Sequence, residues 1–199
     1  WQYGVEQISG ICASNGSALA FLPGDDQPDE DLISRSNLPS ESCHRLWQYL
    51  VHGGSENARE FLNFASSILD GAEHWCEPRP LLRAGLYWPG INSVDLATIS
   101  NNWRADAQVV AIVFYRAHLQ SGNLKPILQL IKALEAEELS PLPIFISSLK
   151  DPLSDKILQQ IFADAPPQVI LNTTGFSAST PGIAHVSCAL DGCNCPVFQ

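Results

Sequence analysis

Hydrophobic residues in the second part of the chain form short continuous runs that alternate with helical stripes. The runs predict strands at 84–88, 109–115, 142–146 and 169–171. A short helix is predicted at 93–101. A second is predicted over Leu124–Leu134, where apolar residues recur at i, i+3, i+4 and i+7, and a third from the cap Asp151-Pro152 through Phe162. This alternation indicates an α/β fold with a doubly wound, mainly parallel sheet of the Rossmann or flavodoxin type.

The first part of the chain has a more helical pattern. Helices are predicted at 5–13, from an N-cap at Ser40 to Gly53-Gly54, and through Phe61–Leu69, with one short strand at 18–22. The prolines of Glu77-Pro78-Arg79-Pro80 fit neither a helix nor a central strand interior. We therefore predict two parts: a helical, partial α/β segment over 1–80 that belongs to a preceding unit, and a Rossmann-like domain over 81–199.

Charge and length narrow the classes of function. The chain has 199 residues, 11 Lys+Arg and 21 Asp+Glu, for a net charge of −10. This charge disfavours binding to nucleic acid or to an anionic membrane. The apolar runs are shorter than the ~20 residues of a membrane helix, so a cytoplasmic protein is expected. Because the chain lacks Met and opens with Trp1-Gln2-Tyr3, we expect a piece of a longer chain.

In a mainly parallel sheet, ligands bind beyond the carboxyl ends of the strands. Four such ends can be identified, after the strands at 84–88, 109–115, 142–146 and 169–171. The candidate ligand-binding residues lie at these four strand ends and at the start of the helix that follows the strand at 109–115. They are Tyr87, Trp88, Tyr115, Arg116, His118, Ser121, Gly122, Asn123, Ser148, Lys150, Thr174 and Phe176.

The stretch after the second strand permits two interpretations. Ser121-Gly122-Asn123 at a helix N-terminus would present backbone N–H groups to a carboxylate or phosphate. Equally, these residues simply turn the chain, Arg116 pairs with a nearby acid, and His118 is a surface or capping group. The residues alone leave both interpretations open.

Motifs for nucleotide chemistry and for metal binding are weak or missing. The sequence contains no GxGxxG, no P-loop, no GxSxG and no HExxH. His185, Cys188, Cys193 and Cys195 lie close together but lack CxxC spacing, so we expect reduced thiols and no metal site.

The stretch FYRAHLQSGNLKPILQLIKALEAEELSPLPIFISSLKDP resembles the large subunit of aerobic cobaltochelatase, the CobN type. The stretches ALAFLPGDD, LWQYLVHGGSENAREFL, AGLYWPG and ILNTTGFS resemble the same family. The resemblance covers nearly the whole chain and implies an amino-terminal fragment of that subunit. The large subunit of magnesium chelatase is less similar, since it lacks the Ser-Ser-Leu-Lys-Asp string.

The resemblance implies a function in cobalamin biosynthesis. The expected activity is insertion of Co(II) into hydrogenobyrinic acid a,c-diamide, with ATP hydrolysed by AAA+-type partner subunits rather than here. His118 would then accept a proton or briefly hold the metal. Arg116 and the Ser121–Asn123 turn would bind ring carboxylates, and Tyr87, Trp88 and Phe176 would contact the ring faces.

Three alternatives remain at this level. One is a magnesium-chelatase H-type subunit that binds protoporphyrin. Another is a scaffold or interaction module in which other domains bind the ring. A third is a flavodoxin-like module, outside the family, that binds a small molecule.

Overall fold

The computed structural model describes residues 2–72, 74–91, 93–175 and 188–199. Contacts divide the chain into two compact units, residues 1–81 and 82–199. Among the described residues, no helix combines the length and the apolar character that crossing a bilayer requires.

The first unit is helical. Its helices are α1 (Gln2–Asn15), α2 (Glu30–Ile33), α3 (Ser40–His52) and α4 (Gly54–Asp70). Leu46, Tyr49 and Phe64 form its core, with Trp75 packed against them. The Arg45 guanidinium lies 4.8 Å from the centre of the Trp75 ring and bonds Glu77 at 2.9 Å, so the segment after α4 is held to the helices.

Two predictions for this unit are wrong. Residues 18–22 form no strand, because side chains satisfy the backbone there: Leu19 N–H donates to Asn37 Oδ1 at 2.7 Å and Phe21 N–H donates to Ser36 Oγ at 2.8 Å. The N-cap of α3 is Pro39, not Ser40, and no side chain caps that helix.

The second unit contains a five-stranded sheet of order β1-β3-β2-β4-β5. Its elements are β1 (Ala84–Leu86), α5 (Leu96–Ser100), β2 (Val109–Tyr115), α6 (Ala117–Gln120), α7 (Lys125–Ala136), β3 (Ser140–Ile146), α8 (Pro152–Asp164), β4 (Val169–Asn172), a 3-10 turn (Asp191–Cys193) and β5 (Val197–Phe198). Strands β2, β3, β4 and β5 are parallel, whereas β1 is antiparallel to β3. The predicted mainly parallel α/β sheet is confirmed, with an antiparallel strand at one edge.

Continuous apolar runs explain the central strands. In β2, Ala111 to Phe114 are fully buried, and all seven residues of β3 are buried. Leu158 and Phe162 of α8 belong to the main core cluster with Ala111, Val113 and Ile144. Helix α7 packs against β3 and buries Ile127 and Ile131. Strands covered in this way hold their ends in fixed positions.

Candidate functional site at the carboxyl rim

Three parallel strands end at the same edge of the sheet. Tyr115 at the end of β2 pairs with Ile146 at the end of β3, and Val113 pairs with Asn172 at the end of β4. The residues that follow these strands therefore lie together, as predicted. We define the carboxyl rim as residues 115–118, 147–151 and 173–175, together with Arg83, which is placed there below.

The fourth predicted strand end lies elsewhere. Because β1 runs antiparallel to β3, Ala84 pairs with Ile146 at the rim, and the chain then runs away from it. Tyr87 N–H donates to the carbonyl of Pro143, halfway along β3, at 3.0 Å. Trp88 packs against the main core cluster and forms a bridge with Ile91. The prediction that Tyr87 and Trp88 follow a strand end at this rim is wrong.

Tyr87 nevertheless belongs to a series of rings that leads to the rim. The centre of its ring lies 5.9 Å from that of Phe114, in an edge-to-face arrangement. The Phe114 ring in turn lies 6.3 Å from the His118 imidazole. Burial raises the pKa of the Tyr87 phenol. Phe114 itself is fully buried, so the aromatic surface on this face of the sheet comes from the partly exposed Tyr87 ring.

His118 lies in the one-turn helix α6 and is held from one side. Its Nδ1 lies 3.1 Å from the backbone carbonyl of Asn123. A carbonyl only accepts, so this contact places the imidazole proton on Nδ1 and leaves the Nε2 lone pair for another partner. His118 is half-buried, and the contact fixes both its tautomer and its orientation.

Ser121, Gly122 and Asn123 do not form the start of a helix. They form the turn between α6 and α7, where Gly122 has φ +69° and the Ser121 hydroxyl donates to the carbonyl of Ala117 at 2.8 Å. Helix α7 begins only at Lys125, since Pro126 favours a position in its first turn. The predicted anion site of free N–H groups at Ser121–Asn123 is therefore wrong; instead, this turn positions His118.

The end of β3 carries a compact hydrogen-bonded cluster. Asp151 caps α8 by accepting from Leu153 N–H at 3.4 Å. Its Oδ2 also accepts from the hydroxyls of Ser147 at 3.0 Å and Ser154 at 2.7 Å. Burial of Asp151 opposes its ionisation, but these hydrogen bonds outweigh burial and lower the pKa of the carboxyl. The cluster therefore carries a negative charge at neutral pH.

Ser148 and Lys150, the residues proposed from the sequence, lie beside this cluster. The Ser148 hydroxyl accepts from the Lys150 backbone N–H at 3.1 Å, which tightens the turn. Lys150 is exposed at the rim. Asp151 and Ser154 are not among the candidates that the sequence predicts, because the Asp151-Pro152 pattern indicates only the start of a helix.

The end of β4 presents less surface than expected. Thr174 is only 1% exposed, and both its N–H and its hydroxyl donate to Asn172 Oδ1, the hydroxyl at 2.7 Å. Thr173 donates to the carbonyl of Val113 at 2.8 Å and so continues the ladder. The Thr174 hydroxyl is therefore used internally, contrary to a binding role. Phe176 lies outside the described residues.

Arg83 is the rim residue that sequence analysis missed. The carbonyl of Arg83 accepts from Ser147 N–H at 2.7 Å, and its Nη1 lies 3.9 Å from Asp151 Oδ2. No local signal reveals this position, since Arg83 precedes its strand. Only the antiparallel pairing of β1 places it at the carboxyl end.

Two other clusters lie outside the rim. Burial raises the pKa of the Cys193 thiol to about 11, and that thiol donates to the carbonyl of Ala189 at 3.2 Å. Within the described ranges, no three His, Cys, Asp or Glu side chains are arranged to hold a metal ion. His185 lies outside those ranges. In the first unit, residues 23–25 and 27–32 line an open depression of about 640 Å³, where Asp25 and Asp29 accept from nearby backbone N–H groups.

Comparison with known proteins identifies the family. A family profile described as CobN/Magnesium Chelatase matches residues 47–199. The chain is 38% identical over its whole length to the aerobic cobaltochelatase subunit CobN of Sinorhizobium sp, and 40% identical over 91% of its length to the CobN subunit of Pseudomonas aeruginosa. It spans only 16% and 14% of those two proteins, respectively.

A solved structure shares the fold. The catalytic subunit of cobaltochelatase from Mycobacterium tuberculosis matches 87% of this chain with a TM-score of 0.65 and 22% sequence identity. The match covers 13% of that chain. At this level of identity, the likeness supports the fold alone.

Proposed function

Because the chain belongs to the CobN/magnesium chelatase family, we propose that it is a tetrapyrrole-contacting segment of the large subunit of an aerobic cobaltochelatase. The complete enzyme would insert Co(II), as a substrate, into hydrogenobyrinic acid a,c-diamide in the cytoplasm. ATP hydrolysis would be carried out by separate AAA+-type subunits, in line with the missing P-loop motif in this sequence.

The observation that carries this proposal is the orientation of His118. Metal insertion requires two protons to leave the ring nitrogens. A neutral histidine with its proton on Nδ1 presents an Nε2 lone pair that can accept such a proton. The bond from His118 Nδ1 to the carbonyl of Asn123 prepares this state before the ring arrives.

Other groups of the rim would position the ring. Arg116 follows β2 directly, and its N–H donates to the carbonyl of Ile146 at 2.7 Å, so its backbone is fixed in the sheet. Its guanidinium suits a ring carboxylate. The partly exposed Tyr87 ring provides apolar surface, and the buried Phe114 ring connects it to His118. In this arrangement the ring contacts aromatic surface while its carboxylates meet the rim.

The test is a titration of the 199-residue chain with coproporphyrin, a carboxylated tetrapyrrole, followed by quenching of tryptophan fluorescence. Saturable quenching that is lost in a denatured control supports the proposal. Absence of binding would assign ring recognition to other domains and leave this segment a scaffold. A parallel assay should detect no ATP turnover by the pure chain, and turnover would contradict the assignment of ATP hydrolysis to partner subunits.

A further inference from the structure

The His118 imidazole has two contacts of different kinds. One is with the ring of Phe114, whose centre lies 6.3 Å away and whose plane is tilted by 59°, and Phe114 is fully buried in β2. The other is the hydrogen bond from Nδ1 to the carbonyl of Asn123 at 3.1 Å, and Asn123 is exposed. A close-packed core fixes the Phe114 ring. The position of the Asn123 carbonyl depends instead on the turn that carries it.

Packing contributes little to this turn. Ser121, Gly122 and Asn123 are all exposed, and a Cβ atom at Gly122 would have no described atom within 4 Å beyond its chain neighbours. Gly122 supplies the left-handed backbone that the turn requires, with φ +69°. Leu124 N–H donates to the carbonyl of Gly122 at 3.0 Å, but this bond lies within the turn and does not reach α6. Hydrogen bonds back to α6 must therefore hold the Asn123 carbonyl in place.

The Ser121 hydroxyl makes this connection. It donates to the carbonyl of Ala117, the first residue of α6, at 2.8 Å, and it accepts from the Asn123 N–H at 3.4 Å. Backbone N–H groups tie Ser121 and Gly122 to α6, so the hydroxyl extends that tie to residue 123. With the bond from His118 to Asn123, it closes a ring of hydrogen bonds over residues 117–123.

We propose that Ser121 is a positioning residue for His118: its hydroxyl keeps the Asn123 carbonyl against Nδ1 and so holds the imidazole in the Nδ1–H tautomer. The hydrogen bond that one imidazole nitrogen makes decides which nitrogen carries the proton. Among the described residues, the bond to Asn123 is the one hydrogen bond of the His118 ring, so Nε2 is left for a ligand. The functional part rests on the proposed function, because it assumes that Nε2 accepts a proton from the tetrapyrrole.

The tautomer itself can be measured without any tetrapyrrole. The 199-residue chain is labelled with the heavy nitrogen isotope, and long-range proton–nitrogen correlation spectra are recorded at a pH where the imidazoles are neutral. His118→Gln identifies the His118 signals by their loss. Ser121→Ala removes the hydroxyl and Ser121→Thr retains it. Ser100→Ala is the matched control, since its hydroxyl also donates to a carbonyl, that of Ala97 at 3.1 Å, in the last turn of a helix.

We expect the Nδ1–H tautomer of His118 to predominate in the native chain. Ser121→Ala should shift the tautomer ratio toward Nε2–H about 3-fold, the lower end for one neutral hydrogen bond, because the bond to Asn123 N–H is long. Ser121→Thr should restore the native ratio and Ser100→Ala should not change it. Circular dichroism verifies that each variant folds. A native chain in which Nε2–H predominates, or a ratio that Ser121→Ala leaves unchanged, overturns the positioning role.

A double-mutant cycle in a complete chelatase subunit that carries this segment tests the functional part. Ser121→Ala should slow metal insertion about 2- to 5-fold, because the imidazole becomes less well defined, and should have no further effect in His118→Ala. Equal slowing in both backgrounds would show that Ser121 does not act through His118 and would contradict the proposal. Absence of coproporphyrin binding would overturn the proposed function alone, since the tautomer ratio is measured without a ring.

Discussion

Two connections at the amino end of the sheet are closed by side chains that bond to the backbone, whereas the loops at the carboxyl rim present two cationic side chains to solvent. Trp103 Nε1 donates to the carbonyl of Pro141 at 3.1 Å, and Gln168 Nε2 donates to that of Pro166 at 3.2 Å. At the rim, by contrast, Lys150 is exposed and Arg83 is half-exposed. The amino end also carries the exposed pair Arg104–Glu138, so the two ends differ in which groups they present: a surface ion pair at one end, and Arg83 and Lys150 at the other.

The difference shows how one sheet separates stability from binding. Strand ends followed by α6 and α8 provide helix-start residues and charged side chains on fixed backbone. The opposite end receives chains that return from helices and needs only to anchor them. Substitutions at the two ends should therefore have different consequences, and the following experiments test that separation.

The largest effect is expected for His118→Ala in a complete chelatase subunit that carries this segment. Loss of a positioned proton acceptor should slow metal insertion by ~10²–10⁴-fold, with little change in ring binding or folding. Steady-state insertion followed by the absorbance of the ring measures the effect. Arg104→Ala, at the opposite end, serves as the matched control. Normal turnover by His118→Ala would return the histidine to a capping role.

Arg116→Ala should act on affinity rather than on rate. Removal of a guanidinium that contacts a carboxylate should weaken ring binding roughly 10-fold and leave the rate of the bound complex nearly unchanged. Separate determination of KM and kcat in the complete subunit tests this division. A fall in kcat at unchanged KM would instead place Arg116 in the chemical step.

Asp151→Ala should affect stability most among the rim residues. It removes the cap of α8 and the acceptor of two hydroxyls, of which Ser154 is 1% exposed. The expected loss is about 2 kcal/mol of unfolding free energy, measured by urea denaturation. Asp151→Asn keeps one acceptor and should lose about half as much. An unchanged midpoint for Asp151→Ala would mean that the cluster contributes nothing to stability.

The same carboxylate predicts a dependence on pH. Because the pKa of Asp151 is lowered in the folded chain, its stabilisation is complete above the unfolded value of about 3.9 and is lost as pH falls through the folded value. The stability difference between the native chain and Asp151→Asn should therefore be constant near neutral pH and narrow below about pH 4. A difference that widens with acidity would contradict this sign.

The smallest effect is expected at the amino end. Arg104 and Glu138 form a pair whose side chains are 64% and 69% exposed. Arg104→Ala should change the unfolding free energy by less than about 0.5 kcal/mol, measured by the same urea denaturation, and leave ring binding intact. Weaker ring binding by Arg104→Ala would contradict the assignment of ligand binding to the carboxyl rim.

Local patterns predicted the central strands well and the direction of the edge strand poorly. Continuous burial marks β2 and β3 directly in their residues, and Asp151-Pro152 marks the start of α8. The direction of β1 depends on its distant partner β3, which no local pattern contains. Tyr87 and Trp88 were therefore predicted at the wrong place, and Arg83 was missed.

The turn after α6 shows a second limit. The sequence predicts that a helix starts at Ser121-Gly122-Asn123. In the structure these residues connect the one-turn helix α6, residues 117–120, to α7, which begins at Lys125. One turn is too short to leave a periodic pattern. Its consequence, the bond from His118 to Asn123, joins residues five apart and was visible only in three dimensions.

The antiparallel edge strand also determines how readily one side of the carboxyl rim can open. β1 has three residues and, among the strands that the structure describes, pairs with β3 alone, whose other side pairs with β2. Such a short edge strand contributes few ladder bonds, so β1 should open more readily than the central strands. Local opening of β1 would withdraw Arg83 and leave His118 in place. Exchange of the Tyr87 amide hydrogen, which donates to the carbonyl of Pro143, reports that opening.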